Sequence, residues 1–205
     1  RIYDEELHRL HESRRDIEHA LIQAVQNGEF VFHYQPKACS RTRKVQGYEA
    51  LIRWDRPGHG LLMPDYFIEI AEQSMLIVDI GRFAIVKACM DAANWDHNLT
   101  VAVNLSAKQF ADPKLYQTVR QALRQSGLDP NRLELEITET ALIQNLQVAS
   151  EVLVRLKRLG VRIALDDFGT GYSSMQMVQQ FPFDRIKIDK SFILSMESDP
   201  KSRAI

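Results

Sequence analysis

The sequence lacks most features that would announce its class. Only two cysteines occur in 205 residues, Cys39 and Cys89, far apart and outside any CxxC pattern. That excludes a disulfide-stapled domain and a zinc ribbon and suits reduced thiols in a cytoplasmic domain. No apolar run approaches the ~18 residues of a membrane span. The leading residues Arg1 to Glu6 are charged and do not read as a signal peptide. Neither charge sign dominates: 26 Lys and Arg against 27 Asp and Glu leave a formal charge of −1. A DNA or RNA polymer is therefore not the expected partner. What remains is ordinary globular composition, 45% apolar and 26% charged.

Common catalytic motifs are missing as well. The six histidines are scattered without HExxH, and His8 and His11 lie in the first helical stretch. No GxSxG elbow is present, so serine-hydrolase chemistry has no support. Asp167-Phe168-Gly169 has the letters of a kinase motif, but the Gly-rich loop, VAIK and HRD that must accompany it are absent. Gly169-Thr170-Gly171 resembles the start of a dinucleotide loop. Ser174 stands where the third glycine belongs, and Asp166 and Asp167 would repel a pyrophosphate lacking a metal. The reading that survives is a loop whose glycines permit unusual dihedrals beside carboxylates.

Periodicity divides the chain into two parts. Leu7, Leu10, Ile17, Leu21 and Ala24 recur at spacings of three and four, with Arg14 in the one polar slot and Asn27-Gly28 as the stop. Two readings stay open for residues 1–27: an amphipathic helix packed on its own domain, or a connecting helix that relays signals from an upstream module. Beyond Gly28, strands alternate with amphipathic helices. Strands are predicted at Phe30–Gln35, Val45–Ile52, Thr100–Leu105, Leu133–Thr138, Arg162–Asp166 and Arg185–Ile188. Asp112-Pro113 predicts an N-cap followed by proline at the first helical position, with Gly127 closing that helix. Val148, Val152, Leu156 and Leu159 line the next helix, closed by Gly160. The alternation argues for a parallel α/β fold, doubly wound or most of a (β/α)8 barrel.

Side chains on a strand alternate faces with period two. Five predicted strands then combine an apolar face with a polar residue near the C-terminal end: Glu49, Asn104, Glu136, Asp166 and Lys187. Strands of a parallel α/β sheet are covered on both faces. The apolar face should pack on helices, and the polar face should point into a barrel or crevice, above the small residues Gly47, Ala102 and Ala164. Active sites of this architecture lie at strand C-terminal ends. Glu49, Asn104, Glu136, Asp166 and Asp167 offer only oxygen donors, which suits Mg²⁺ or Mn²⁺ and not a structural zinc site. Four carboxylates can balance two divalent ions, and two ions ~3.5–4 Å apart can activate water and stabilise a leaving oxygen. Lys187 and Arg53 would supply positive charge for a phosphate. Spacing alone thus suggests metal-assisted phosphoester hydrolysis.

Gly47-Tyr48-Glu49-Ala50-Leu51-Ile52-Arg53-Trp54 carries the Glu-Ala-Leu signature of EAL domains, the bacterial cyclic di-GMP phosphodiesterases. The chain resembles that family also at Tyr34-Gln35-Pro36, Phe67 through Glu72, Val103 through Ser106, Glu134 through Glu139, Asp166 through Ser174, and Lys187-Ile188-Asp189, from about Ile17 to the end. The resemblance implies a modified TIM barrel with an antiparallel first strand. It implies hydrolysis of cyclic di-GMP to linear pGpG, with a non-catalytic cyclic di-GMP receptor as the alternative. It makes Glu49, Asn104, Glu136 and Asp166 metal ligands for two Mg²⁺ or Mn²⁺ ions, with Asp167 serving the second. Lys187 would position or activate the attacking water, Gln35 and Arg53 would face the substrate, and Glu139 would hold the glycine loop.

The same resemblance implies a homodimer coupled through that loop. Tyr3 through Leu21 is similar to the helix joining GGDEF and EAL domains, so a GGDEF or sensory domain is expected upstream, in a parent that can be membrane-anchored. The expected division is therefore a connecting helix at 1–27 and an EAL domain at 28–205. The family pattern continues for about two more β/α units, with an Ala-Glu-Gly-Val-Glu motif not found in these 205 residues. The expectation is an incomplete barrel, weak or inactive as the literal chain.

Overall fold

The computed structural model describes residues 2–96, 98–143, 146–169 and 181–191. A long helix, α1 (Ile2–Asn27), leads into β1 (Phe30–Ala38), β2 (Val45–Arg56) and the short β3 (Gly60–Leu62). Helices α2 (Pro64–Gln73) and α3 (Ile77–Ala93) follow, then β4 (Thr100–Leu105), α4 (Ala107–Phe110) and α5 (Leu115–Ser126). The chain closes with β5 (Leu133–Thr138), α6 (Glu139–Ile143), α7 (Leu146–Leu159), β6 (Arg162–Phe168) and β7 (Arg185–Ile188). One mixed sheet orders these strands β1-β2-β4-β5-β6-β7, with β3 hairpinned onto β2. β1 is antiparallel to β2, whereas β2, β4, β5, β6 and β7 are mutually parallel. This is the α/β architecture with an antiparallel first strand that the family resemblance implies.

The sheet curls strongly. From β2 to β7 are four strand spacings, about 19 Å if the sheet were flat. Yet Lys187 Nζ on β7 lies 3.3 Å from Glu49 Oε2 on β2. Lys37 on β1 likewise reaches Glu134 on β5 at 2.6 Å. These cross-sheet contacts require a trough with one concave, polar face. No pairing joins β7 to β1 among the described residues.

The convex face is apolar and covered. Val101, Val103 and Leu105 of β4, Leu133, Leu135 and Ile137 of β5, and Ile163 and Leu165 of β6 pack with Ile85, Cys89, Val119, Leu123, Leu153 and Leu156 of the helices. Burial there pushes the Cys89 thiol up to about 12. A second cluster joins Ile17, Leu21 and Ala24 of α1 to Phe30, Trp54 and Phe67. Arg14 bonds Glu69 and Gln73 of α2. The C-terminal half of α1 is therefore packed on its own domain. It stops where predicted: Gly28 takes φ 69°, a left-handed conformation that glycine adopts without a Cβ clash.

Several details differ from the sequence-based expectations, and both β2 and β6 run past their predicted ends, to Arg56 and Phe168. Helix α5 starts at Leu115, because Asp112 Oδ1 accepts a hydrogen bond from the Lys114 amide (2.9 Å) and holds a turn before the helix. β1 runs through Pro36 to Ala38; an edge strand can dispense with one N–H. β3 was too short to stand out. Ile186 and Ile188 of β7 are 40% and 61% exposed, so among the described residues no helix covers that strand's apolar face. The loop through Thr170 to Ser174 lies outside the described residues, as does the side chain of Val148. Among the described residues no helix is long and apolar enough to cross a membrane.

Candidate active site

The parallel register places the polar side chains side by side. Asn104 on β4 pairs with Glu136 on β5, which pairs with Ala164 on β6. Glu49 on β2 pairs with Ala102, and Asp166 lies two residues beyond Ala164 on the same face. Small side chains at 102 and 164 leave the concave space to their larger neighbours. Gly47 is required by close approach, since a Cβ there would meet Thr100 Oγ1 at 2.2 Å and its carbonyl oxygen at 2.3 Å.

Lys187 enters this space from β7. Its ammonium lies 3.3 Å from Glu49 Oε2, 2.5 Å from Glu136 Oε2 and 2.7 Å from Asp166 Oδ2. Carboxylate oxygens of Glu49, Glu136 and Asp166 all fall within 4.8 Å of one another. Asn104 Nδ2 donates to Glu49 Oε1 at 2.9 Å. Burial alone would lower the Lys187 pKa. The hydrogen bonds to Asp166 and Glu136 and the charges of Glu136 and Glu49 outweigh it, and the net shift is upward. Lys187 is thus a fixed cation in this arrangement. Glu136 is raised by burial against the opposing pull of Lys187. Asp167 is also raised, by desolvation first and then by the charges of Asp166 and Asp189.

The end of β6 is irregular. Its register with β7 shifts between Leu165 and Phe168. Asp167 sits at φ 54° and Gly169 at φ 99°. Such a bulge re-aims side chains beside a functional site. Aspartate tolerates the left-handed region better than most residues.

Of the residues singled out from sequence, Glu49, Asn104, Glu136, Asp166 and Lys187 come together directly, with Asp167 beside them. Gln35 pairs with Glu49 across β1 and β2 and is exposed on the same face. Arg53 also shares that face but is only 8% exposed. Its Nη1 donates to the Ile52 carbonyl at 2.8 Å, and its Nε is buried without a hydrogen-bond partner. Glu139 opens α6 and is buried; the loop it was expected to hold is outside the described residues. A cavity of about 650 Å³ opens at the strand ends, lined in part by Leu51, Asp65, Asn104, Thr138 and Asp167.

Three further concave-face residues carry no role in the sequence inventory: Lys37, Arg185 and Glu134, the last already on the polar face of its strand by alternation. Lys37 ion-pairs with Glu134 at 2.6 Å and with Glu136 at 3.3 Å, and Arg185 reaches Glu134 at 3.5 Å. Period-two alternation from Glu136 and Lys187 reaches Glu134 and Arg185, whereas Lys37 lies beyond Pro36 and past the predicted end of the first strand. Counting Arg53, five carboxylates then face four cations, a formal excess of one negative charge. That oxygen-only donor set, already gathered around one ammonium, fits a divalent cation.

Comparison with known proteins agrees with this geometry. The EAL domain model matches residues 16–205. The cyclic di-GMP phosphodiesterase PdeR of Escherichia coli is 40% identical over 188 residues, covering 90% of this chain and 28% of that protein. The bifunctional diguanylate cyclase/cyclic di-GMP phosphodiesterase MucR of Pseudomonas aeruginosa is 40% identical over 193 residues, covering 91% of this chain and 28% of that protein. The solved structure of the PaMucR phosphodiesterase in complex with c-di-GMP superposes with a TM-score of 0.86 at 39% identity, covering 92% of this chain and 78% of that one. This chain spans about a quarter of the length of the curated relatives it matches. On the family match and on this shared identity, the chain belongs to the EAL domain family.

Proposed function

We propose that the domain hydrolyses cyclic di-GMP to linear pGpG with Mg²⁺ or Mn²⁺, two per site. The observation that carries this reading is the ring of Glu49, Glu136 and Asp166 around the Lys187 ammonium. In the reaction a water oxygen bonds to phosphorus, one P–O ester bond breaks, and the released 3′ oxygen takes a proton. Bound divalent ions would supply Lewis acidity toward water and phosphoryl oxygen. Glu49, Asn104, Glu136 and Asp166 would hold them, with Asp167 serving the second. Asn104 would turn its amide so that Oδ1 faces the cation, since only the oxygen can ligate.

Lys187, released from the carboxylate ring as the ions bind, would position or activate the attacking water. Gln35 and Arg53 would meet the nucleotide, Arg53 at a phosphate. Glu139 would hold the glycine loop. The names of PdeR and MucR support the substrate. A homodimer, an upstream GGDEF or sensory domain, the division at residues 27 and 28, and a cytoplasmic setting belong to the same reading.

The test measures nucleotide binding and product formation on one sample of the full-length protein with Mg²⁺, before and after EDTA. Linear pGpG that stops on chelation supports hydrolysis. Tight binding of cyclic di-GMP with no linear product would make the domain a receptor instead.

A further inference from the structure

Beneath the carboxylate ring, Lys37 and Glu134 form a second charged layer that the proposed chemistry does not use. Glu134 and Glu136 have side chains 1% and 0% exposed, and the Lys37 ammonium, on a side chain 17% exposed, bridges them. The two oxygens of Glu136 are thereby divided. Oε1 accepts from Lys37, and Oε2 faces Lys187 and the ring. Gly47 stands opposite Lys37 in the β1–β2 register; with no side chain there, the lysine is free to cross the trough to β5.

We propose that Lys37 is a positioning residue for the metal site, holding Glu136 from below so that one carboxylate oxygen is presented to the cation. This rests on the metal-dependent reading above. A carboxylate buried as deeply as Glu136 needs both oxygens satisfied. Lys187 and a cation compete for Oε2, but only Lys37 is bonded to Oε1 among the described residues. Neutralising Glu134 is not sufficient reason for Lys37, because Arg185 also reaches that carboxylate.

Electrostatics and positioning predict opposite signs. Deleting the Lys37 charge makes the cluster more negative, so a purely Coulombic role predicts tighter Mn²⁺ binding. A positioning role predicts weaker binding, about 10–100-fold by analogy with other outer-shell partners of metal ligands.

The experiment measures Mn²⁺ affinity by the EPR signal of free Mn²⁺, alongside thermal stability, for wild type, Lys37→Met, Glu134→Gln and the double variant. Lys37→Met should lose about 10–100-fold in affinity. Adding Glu134→Gln removes the stranded carboxylate and should recover stability while affinity stays low. The double variant also carries the test if Lys37→Met alone does not fold. Recovery of wild-type affinity in the double variant, or unchanged or tighter binding in Lys37→Met, would overturn the assignment and leave the metal-dependent reading standing. Wild type that binds no Mn²⁺ would overturn that reading and the assignment together.

Discussion

Leu133, Leu135 and Ile137 leave β5 on one side and Glu134 and Glu136 on the other, and all five residues are at most 1% exposed. Burial does not distinguish the two faces; their partners do. The convex face meets apolar helices and gains roughly 25 cal/mol for each Å² removed from water. The concave face meets Lys37, Arg185 and Lys187. Buried ion pairs rarely add more stability than well-packed hydrocarbon of the same volume. The helical face accounts for why the strand folds, and the charged face for what it can do.

Three substitutions test how far those roles separate. Glu49→Ala should have the largest effect, a loss of turnover of roughly 10³-fold or more, because removing a metal ligand forfeits several kcal/mol of charge stabilisation. Its melting temperature should hold or rise as carboxylate repulsion is relieved. A parallel loss of stability and turnover would break the comparison. On the opposite face, Leu135→Ala should cost about 2–5 kcal/mol in chemical denaturation. Turnover per folded molecule should stay within about twofold, since Leu135 packs in the apolar cluster on the convex side. Gly47→Ala joins the two roles. Its Cβ would collide with Thr100 backbone and side chain, so β2 and β4 must shift at a cost of about 1–3 kcal/mol. Glu49, two residues along, should move with them, and kcat and stability should fall together.

Much of this arrangement was legible in the sequence. Alternation located six of the seven strands and put Glu49, Asn104, Glu136, Asp166 and Lys187 on one face, since period two holds wherever a strand is regular. What was hidden depended on long-range pairing or on broken regularity. Pro36 signals a strand end, and only the edge position of β1 shows why the strand continues to Lys37. The left-handed Asp167 sits in a bulge set by pairing with β7, which no local pattern encodes. Gly60–Leu62 is ordered by its hairpin with β2, and three residues carry no periodicity. The packing of Ile17, Leu21 and Ala24 on Phe30 and Phe67 shows where the C-terminal half of α1 buries its apolar stripe, a partner that helical spacing alone does not name.

The most direct measurement is the anomalous scattering of Mn²⁺ in crystals of the protein. Manganese peaks are expected among Glu49, Asn104, Glu136 and Asp166, with the Lys187 ammonium displaced from the carboxylate ring. Manganese bound elsewhere, with Lys187 still bonded to all three carboxylates at saturating metal, would contradict it.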